Sequence, residues 1–168
     1  MKVKTAYMGL LLAFALILSY IETLIPLQAG IPGIKLGLAN LAVILTFYLF
    51  GYREALLVTI VKALLSGFLF GNLTMIIYSL SGALFSFLIM AFMVKSRKFH
   101  LPVISISGGV MHNIGQLVIA YLVIDTYGIF YYVPILLLAG AITGFFIGIT
   151  ASFVMPYIKN VIERGSNL

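Results

Sequence analysis

The chain has 168 residues, 63% of them hydrophobic and 8% charged, with a mean hydropathy of +1.21. So much apolar surface has no place in a water-soluble core, which excludes a soluble enzyme or regulator and indicates an integral membrane protein. The net charge of +6 is spread over short loops between apolar runs, a pattern that orients helices in a bilayer rather than tracks nucleic acid; with no cysteine present, disulfides, thiolate metal sites and Cys nucleophiles are also excluded.

A spanning helix needs about 20 mostly apolar residues. Six runs meet or approach that length, over 5–25, 36–50, 54–70, 73–94, 101–124 and 132–155, and no linker between them is long enough to separate domains. The expected fold is therefore all-α, a polytopic six-transmembrane-helix bundle forming one domain over 1–168. The first run lacks a small-residue cleavage site followed by a polar region, so it reads as a retained span rather than a signal peptide. On it Ala6, Gly9 and Ala13 form a stripe of small residues, suited to internal packing or to docking another membrane subunit. Near its outer end lies Glu22, in reach of Lys35 across the first loop, where a rim ion pair is the simplest expectation.

The stretch from Gly30 to Asn40 is a loop followed by a helix start: Pro32 and Gly33 punctuate it, and the apolar run from Leu36 is helical in length. It sets Lys35 and Asn40 where the chain turns back into the apolar medium. The second run is short for a span. In the third, Lys62 sits about halfway, some 13 Å from either end at 1.5 Å per residue, too far for its stem to reach water easily. An intramembrane lysine requires a carboxylate partner, a hydrated cavity or a bound anion.

Asn72, between Gly71 and the fourth run, has the position of a helix cap and also of an outward-facing polar group. In the fifth run His112 and Gln116 are one turn apart and share a face, with Asn113 beside them. Three polar side chains in one intramembrane turn line a polar cavity or bond to neighbouring helices. Asp125 belongs to the next outer loop, and Gln28, Tyr121, Tyr127, Tyr131 and Tyr132 share the outward bias, the tyrosines as interfacial belt residues. In the last run Gly140, Gly144 and Gly148 recur every four residues as a packing seam.

Cations collect in short cytoplasmic loops. With the amino terminus inside, Lys2, Lys4, Arg53, Lys95, Arg97, Lys98, Lys159 and Arg164 all lie on the inner face, and only Lys35 lies outside. Both termini are thus expected in the cytoplasm. The polar groups within the spans then lie from mid-depth to the outer side. That distribution predicts a pocket open outward and lined by Lys35, Asn40, Lys62, Asn72, His112, Asn113 and Gln116, with Glu22 and Asp125 at its rim. Its expected field is positive, favouring an anionic or carbonyl-rich, partly apolar small molecule.

No phosphate-binding glycine loop, paired-aspartate motif or Ser/His/Asp arrangement is present, and the four acidic residues are scattered, so independent catalysis is not expected. A metal site is not expected either, because His100 falls in a cytoplasmic loop far from His112, and nothing points to a cofactor.

The runs from Ser19 to Glu22, Gly30 to Asn40, Phe70 to Asn72 and His112 to Gln116 together resemble the bacterial heptaprenyl diphosphate synthase component I family, also called the Gx transporter family. That family is similar to the substrate-binding S components of energy-coupling factor (ECF) transporters. The resemblance implies capture of a nutrient outside the bacterial cytoplasmic membrane and docking, through small residues of the first helix, on a transmembrane coupling subunit driven by two ATPases. Ala6, Gly9 and Ala13 would supply that surface, although Gly9 before Ala13 departs from the usual alanine pattern. The other family name implies a non-catalytic accessory to a separate prenyl synthase subunit and hints at an isoprenoid or quinone ligand. A solitary secondary transporter, proton-linked through Lys62 and His112, is the remaining alternative.

Overall fold

A computed structural model describes residues 2–24, 37–124 and 127–166. Within them the fold is all-helical: α1 (Lys2–Leu24), α2 (Asn40–Phe50), α3 (Tyr52–Phe70), α4 (Leu73–Ser96), α5 (Leu101–Ile124), a 3₁₀ turn (Tyr127–Tyr132) and α6 (Val133–Ser166).

The shortest helix is the central one. α2 packs against α1, α3, α5 and α6. It is apolar on every side, and Ala42, Val43, Ile44, Leu45, Thr46 and Phe47 are buried in succession. A helix hydrophobic all round is one surrounded by other helices. Its Phe47 stacks on Phe87 of α4 at 4.9 Å between ring centroids, within a core that also takes in Leu11, Met90, Ile104 and Ile147. α2 starts later than the expected residue 36, because Gly37 adopts a left-handed φ of 86° and the next residues form a tight turn. Asn40, Leu41 and Ala42 donate their amides to the carbonyls of Gly37, Leu38 and Ala39. At the other end Gly51, with φ of 100°, reverses the chain into α3 while its N–H bonds the carbonyls of Thr46 and Phe47. Only glycine enters that backbone region without strain.

α5 is flanked by α4 and α6 at backbone contact distance. The seam expected on the last span is present: a methyl group added at Gly140, Gly144 or Gly148 would lie within 2.6–2.7 Å of Gly109, Ser105 or Pro102 of α5. On the other side Ser81 Oγ of α4 donates to the Gly115 carbonyl at 2.7 Å. Small residues at such crossings let helices gain dispersion contacts where excluding water contributes nothing.

The expected boundaries of α3, α4 and α5 fall within two residues of those found. α6 differs, running 34 residues through Pro156. Met155 and Ile158, on either side of that proline, pack against the core, so tertiary contact carries the helix past it. Lys159 and Glu163 then follow one turn apart at 3.9 Å.

The distribution of side chains is inverted relative to a soluble protein. Large apolar groups such as Phe68, Leu88, Phe92, Phe146 and Phe153 are exposed, whereas Glu22, Asn40, Lys62, His112, Asn113 and Gln116 are buried. α1, α4, α5 and α6 are long and apolar enough to cross a membrane. α2 extends only about 16 Å at 1.5 Å per residue, and the 19-residue α3 carries Arg53, Glu54 and Lys62.

Candidate functional site

The buried polar groups are assembled by the turn preceding α2 together with α1, α4 and α5. Glu22, near the end of α1, accepts hydrogen bonds from the backbone amides of Gly37 and Leu38. Its carboxylate is buried and fastens α1 to that turn. Charge-assisted bonds of this kind are stronger than neutral ones, and here they fix how the turn is presented. Lys35 and Asp125, both expected at the site or its rim, lie outside the described residues, as does Gln28.

Gly37 is in contact with two of the expected site residues. A methyl group on it would lie 2.9 Å from Asn40 Nδ2 and 3.3 Å from His112 Cδ2. The opposite edge of the same imidazole meets α4, where a methyl group on Gly82 would lie 3.0 Å from His112 Cε1 and 2.9 Å from Gln116 Cγ. His112 is thus slotted between two glycines, and the expected sharing of a face by His112 and Gln116 holds. Asn40, His112 and Gln116 are 6%, 3% and 0% exposed, so whatever they bind must do so in the interior.

Asn113 points elsewhere. Its Nδ2 donates to the Leu136 carbonyl of α6 at 2.6 Å and lies where Gly140 has no side chain. Lys62 is 4% exposed, on the buried face of α3 that also carries Ala55, Thr59 and Ser66. Asn72 stands apart: it is exposed and caps α4, its Oδ1 accepting from the Met75 amide at 2.9 Å.

Asn40 Nδ2, Asn113 Oδ1 and Ser86 Oγ are buried with no hydrogen-bond partner among the described residues. Leaving such a group unmet costs about 1–3 kcal/mol, which a ligand or bound water would offset. Gly37, Gly82 and Ser86 are additions to the residues singled out from sequence. Gly82 and Ser86 on α4 are four apart, like Gly108, His112 and Gln116 on α5, and that matched spacing is the signal that identifies a helix pair.

The small residues of α1 face outward. Ala6, Gly9 and Ala13 are exposed, and a methyl group on Gly9 would meet nothing within 4 Å. Beside them a groove of about 330 Å³ runs between α1 and α3, lined by Thr5, Met8, Leu12, Leu57, Val58 and Val61. At its end Lys4 pairs with Glu54, joining the starts of the two helices.

Among the described residues no group of three or more His, Asp or Glu side chains is arranged to hold a metal ion. The model of the family described as heptaprenyl diphosphate synthase component I matches residues 11–154. The chain belongs to that family. No curated protein and no solved structure matches it. The match to component I spans the buried polar site, from Glu22 on α1 to Gly140 on α6, and leaves out Ala6 and Gly9 at the start of α1.

Proposed function

We propose that this member of the component I family is a substrate-capturing membrane subunit of the S-component type, which takes a small, partly apolar solute from outside the bacterial cytoplasmic membrane. The observation that carries this reading is the burial of Asn40, His112 and Gln116 around one turn, and of Lys62 on α3, in a chain whose outside is apolar, with an amide donor of Asn40 unmet among the described residues. Buried polar groups at membrane depth are expensive and are kept where they serve a solute or ion. Lys62 supplies charge, while Asn40, His112 and Gln116 orient the solute by hydrogen bonds. Lys35, two residues before Gly37 in the sequence, is the further cation proposed to serve the site. In this reading the chain is a six-pass bundle with both termini in the cytoplasm, the 11-residue α2 packed among the other helices and too short to cross by itself.

The exposed stripe of Ala6, Gly9 and Ala13 beside an open groove suits close approach by a helix of a coupling subunit, which two ATPases would drive. The family description favours a second reading, a non-catalytic membrane accessory to a prenyl diphosphate synthase. Affinity capture from the native membrane separates the two. Copurification with a coupling subunit and ATPases, lost in Gly9→Leu, supports capture and transport. Copurification with a prenyl synthase alone, unaffected by Gly9→Leu, overturns it in favour of the accessory role.

A further inference from the structure

We infer that the interior site takes a ligand whose head is uncharged and bears a carbonyl oxygen, bonded by Asn40 Nδ2, on an apolar body, and that it rejects a diphosphate; this rests on the capture reading above. The donor lies at the start of α2. The backbone amides of Gly37 and Leu38 are bonded to Glu22, and those of Asn40, Leu41 and Ala42 to carbonyls within the turn. The side-chain amide of Asn40, 6% exposed, has Nδ2 unpartnered among the described residues. A buried N–H calls for an acceptor oxygen.

The surroundings select the kind of acceptor. Gly37, Asn40 Nδ2 and the His112 imidazole converge on one spot, and next to it Ala15, Ala39 and Ala42 form an apolar wall with Leu18. The turn that presents Asn40 is itself held by the Glu22 carboxylate. Among the described residues Glu22 and Lys62 are the buried groups of formal charge, and they balance. A diphosphate brought against this turn would place several negative charges near Glu22 in a medium of low dielectric, more than Lys62 and Lys35 together would offset. A neutral carbonyl asks only for the hydrogen bond that Asn40 has to give.

Equilibrium dialysis of the protein in lipid nanodiscs tests this with menadione, a neutral ring with two carbonyls, and geranyl diphosphate as charged competitor. The chain has no cysteine, so menadione cannot add to a thiol. Saturable menadione binding is expected, weakened about tenfold or more in Asn40→Asp, which keeps an accepting oxygen but replaces the donor by a carboxylate oxygen, and unaffected by excess geranyl diphosphate. Asn40→Leu, which introduces no charge, is expected to show the same loss; melting curves identify which variants are folded. Unchanged binding in a folded variant, or displacement by geranyl diphosphate, overturns the inference. Absence of saturable menadione binding, while a Lys62-dependent molecule is still retained from cells, overturns it and leaves capture standing. If no molecule is retained from cells, capture falls and the inference with it.

Discussion

The imidazole of His112 lies against the Cα of Gly82, so close that a methyl group there would come within 3.0 Å of Cε1. The same methyl would lie 2.8 Å from the His112 carbonyl, a backbone atom that cannot rotate away. Gly82→Ala should therefore displace α4 from α5 and cost about 1–3 kcal/mol, as overpacking does. Gly9→Ala is the matched control: nothing lies within 4 Å, and it should leave thermal unfolding in detergent unchanged or slightly raised. Equal melting of the two variants would contradict this account of the α4–α5 contact.

Gly109→Ala should be more damaging than Gly82→Ala. Its methyl would fall 2.3 Å from the Gly140 carbonyl of α6, where both partners are backbone. The expected result is loss of the folded monomer or a fall of about 3 kcal/mol or more in unfolding free energy, measured by denaturant titration in mixed micelles. A melting temperature within a degree or so of wild type would show that α5 and α6 pack less tightly than described.

Asn113→Leu removes the bond from Nδ2 to the Leu136 carbonyl. Interhelical bonds in membranes are worth about 0.6 kcal/mol on average and up to about 2, so a loss in that range is expected. Because this side chain faces α6 rather than Gly37 and Asn40, solute retention by the folded variant should be close to wild type. Complete loss of retention without loss of stability would put Asn113 back among the ligand-binding residues.

Asn72→Ala deletes the cap of α4 and should cost about 1 kcal/mol. Asn72→Asp, which keeps an accepting oxygen, should restore most of it. Thermal unfolding distinguishes a cap from a ligand-binding group. If the alanine variant melts like wild type but no longer retains solute, the capping role is the wrong one.

Much of the bundle was legible because its signal is local. Apolar run length and the four-residue recurrence of Gly140, Gly144 and Gly148 require no knowledge of neighbours, and the expected bounds of α5 are those observed. The shared face of His112 and Gln116 follows from helical spacing in the same way. What spacing leaves open is which helix lies on each side. Asn113 differs from His112 by one position, a rotation of about 100°, and that rotation turns it from α4 and Gly37 to α6. Glu22 was expected to meet a lysine side chain. Lys35 lies outside the described residues, and what they add is that Glu22 bonds the amides of Gly37 and Leu38, which a left-handed Gly37 turns toward α1. The brevity of α2 hid its place at the centre of the molecule: a helix enclosed by others needs neither the length of a span nor a polar face.

The central claim is that the buried polar side chains Asn40, His112 and Lys62 serve to hold a solute. Native mass spectrometry of the protein released from nanodiscs tests it most directly, comparing wild type with Lys62→Met and with Leu65→Met, a change at an exposed position of the same helix. The account predicts one small molecule of defined mass retained by wild type and Leu65→Met and reduced about tenfold or more in a Lys62→Met protein that still melts cooperatively. Equal retention by folded Lys62→Met, or no retained molecule in wild type, would contradict it.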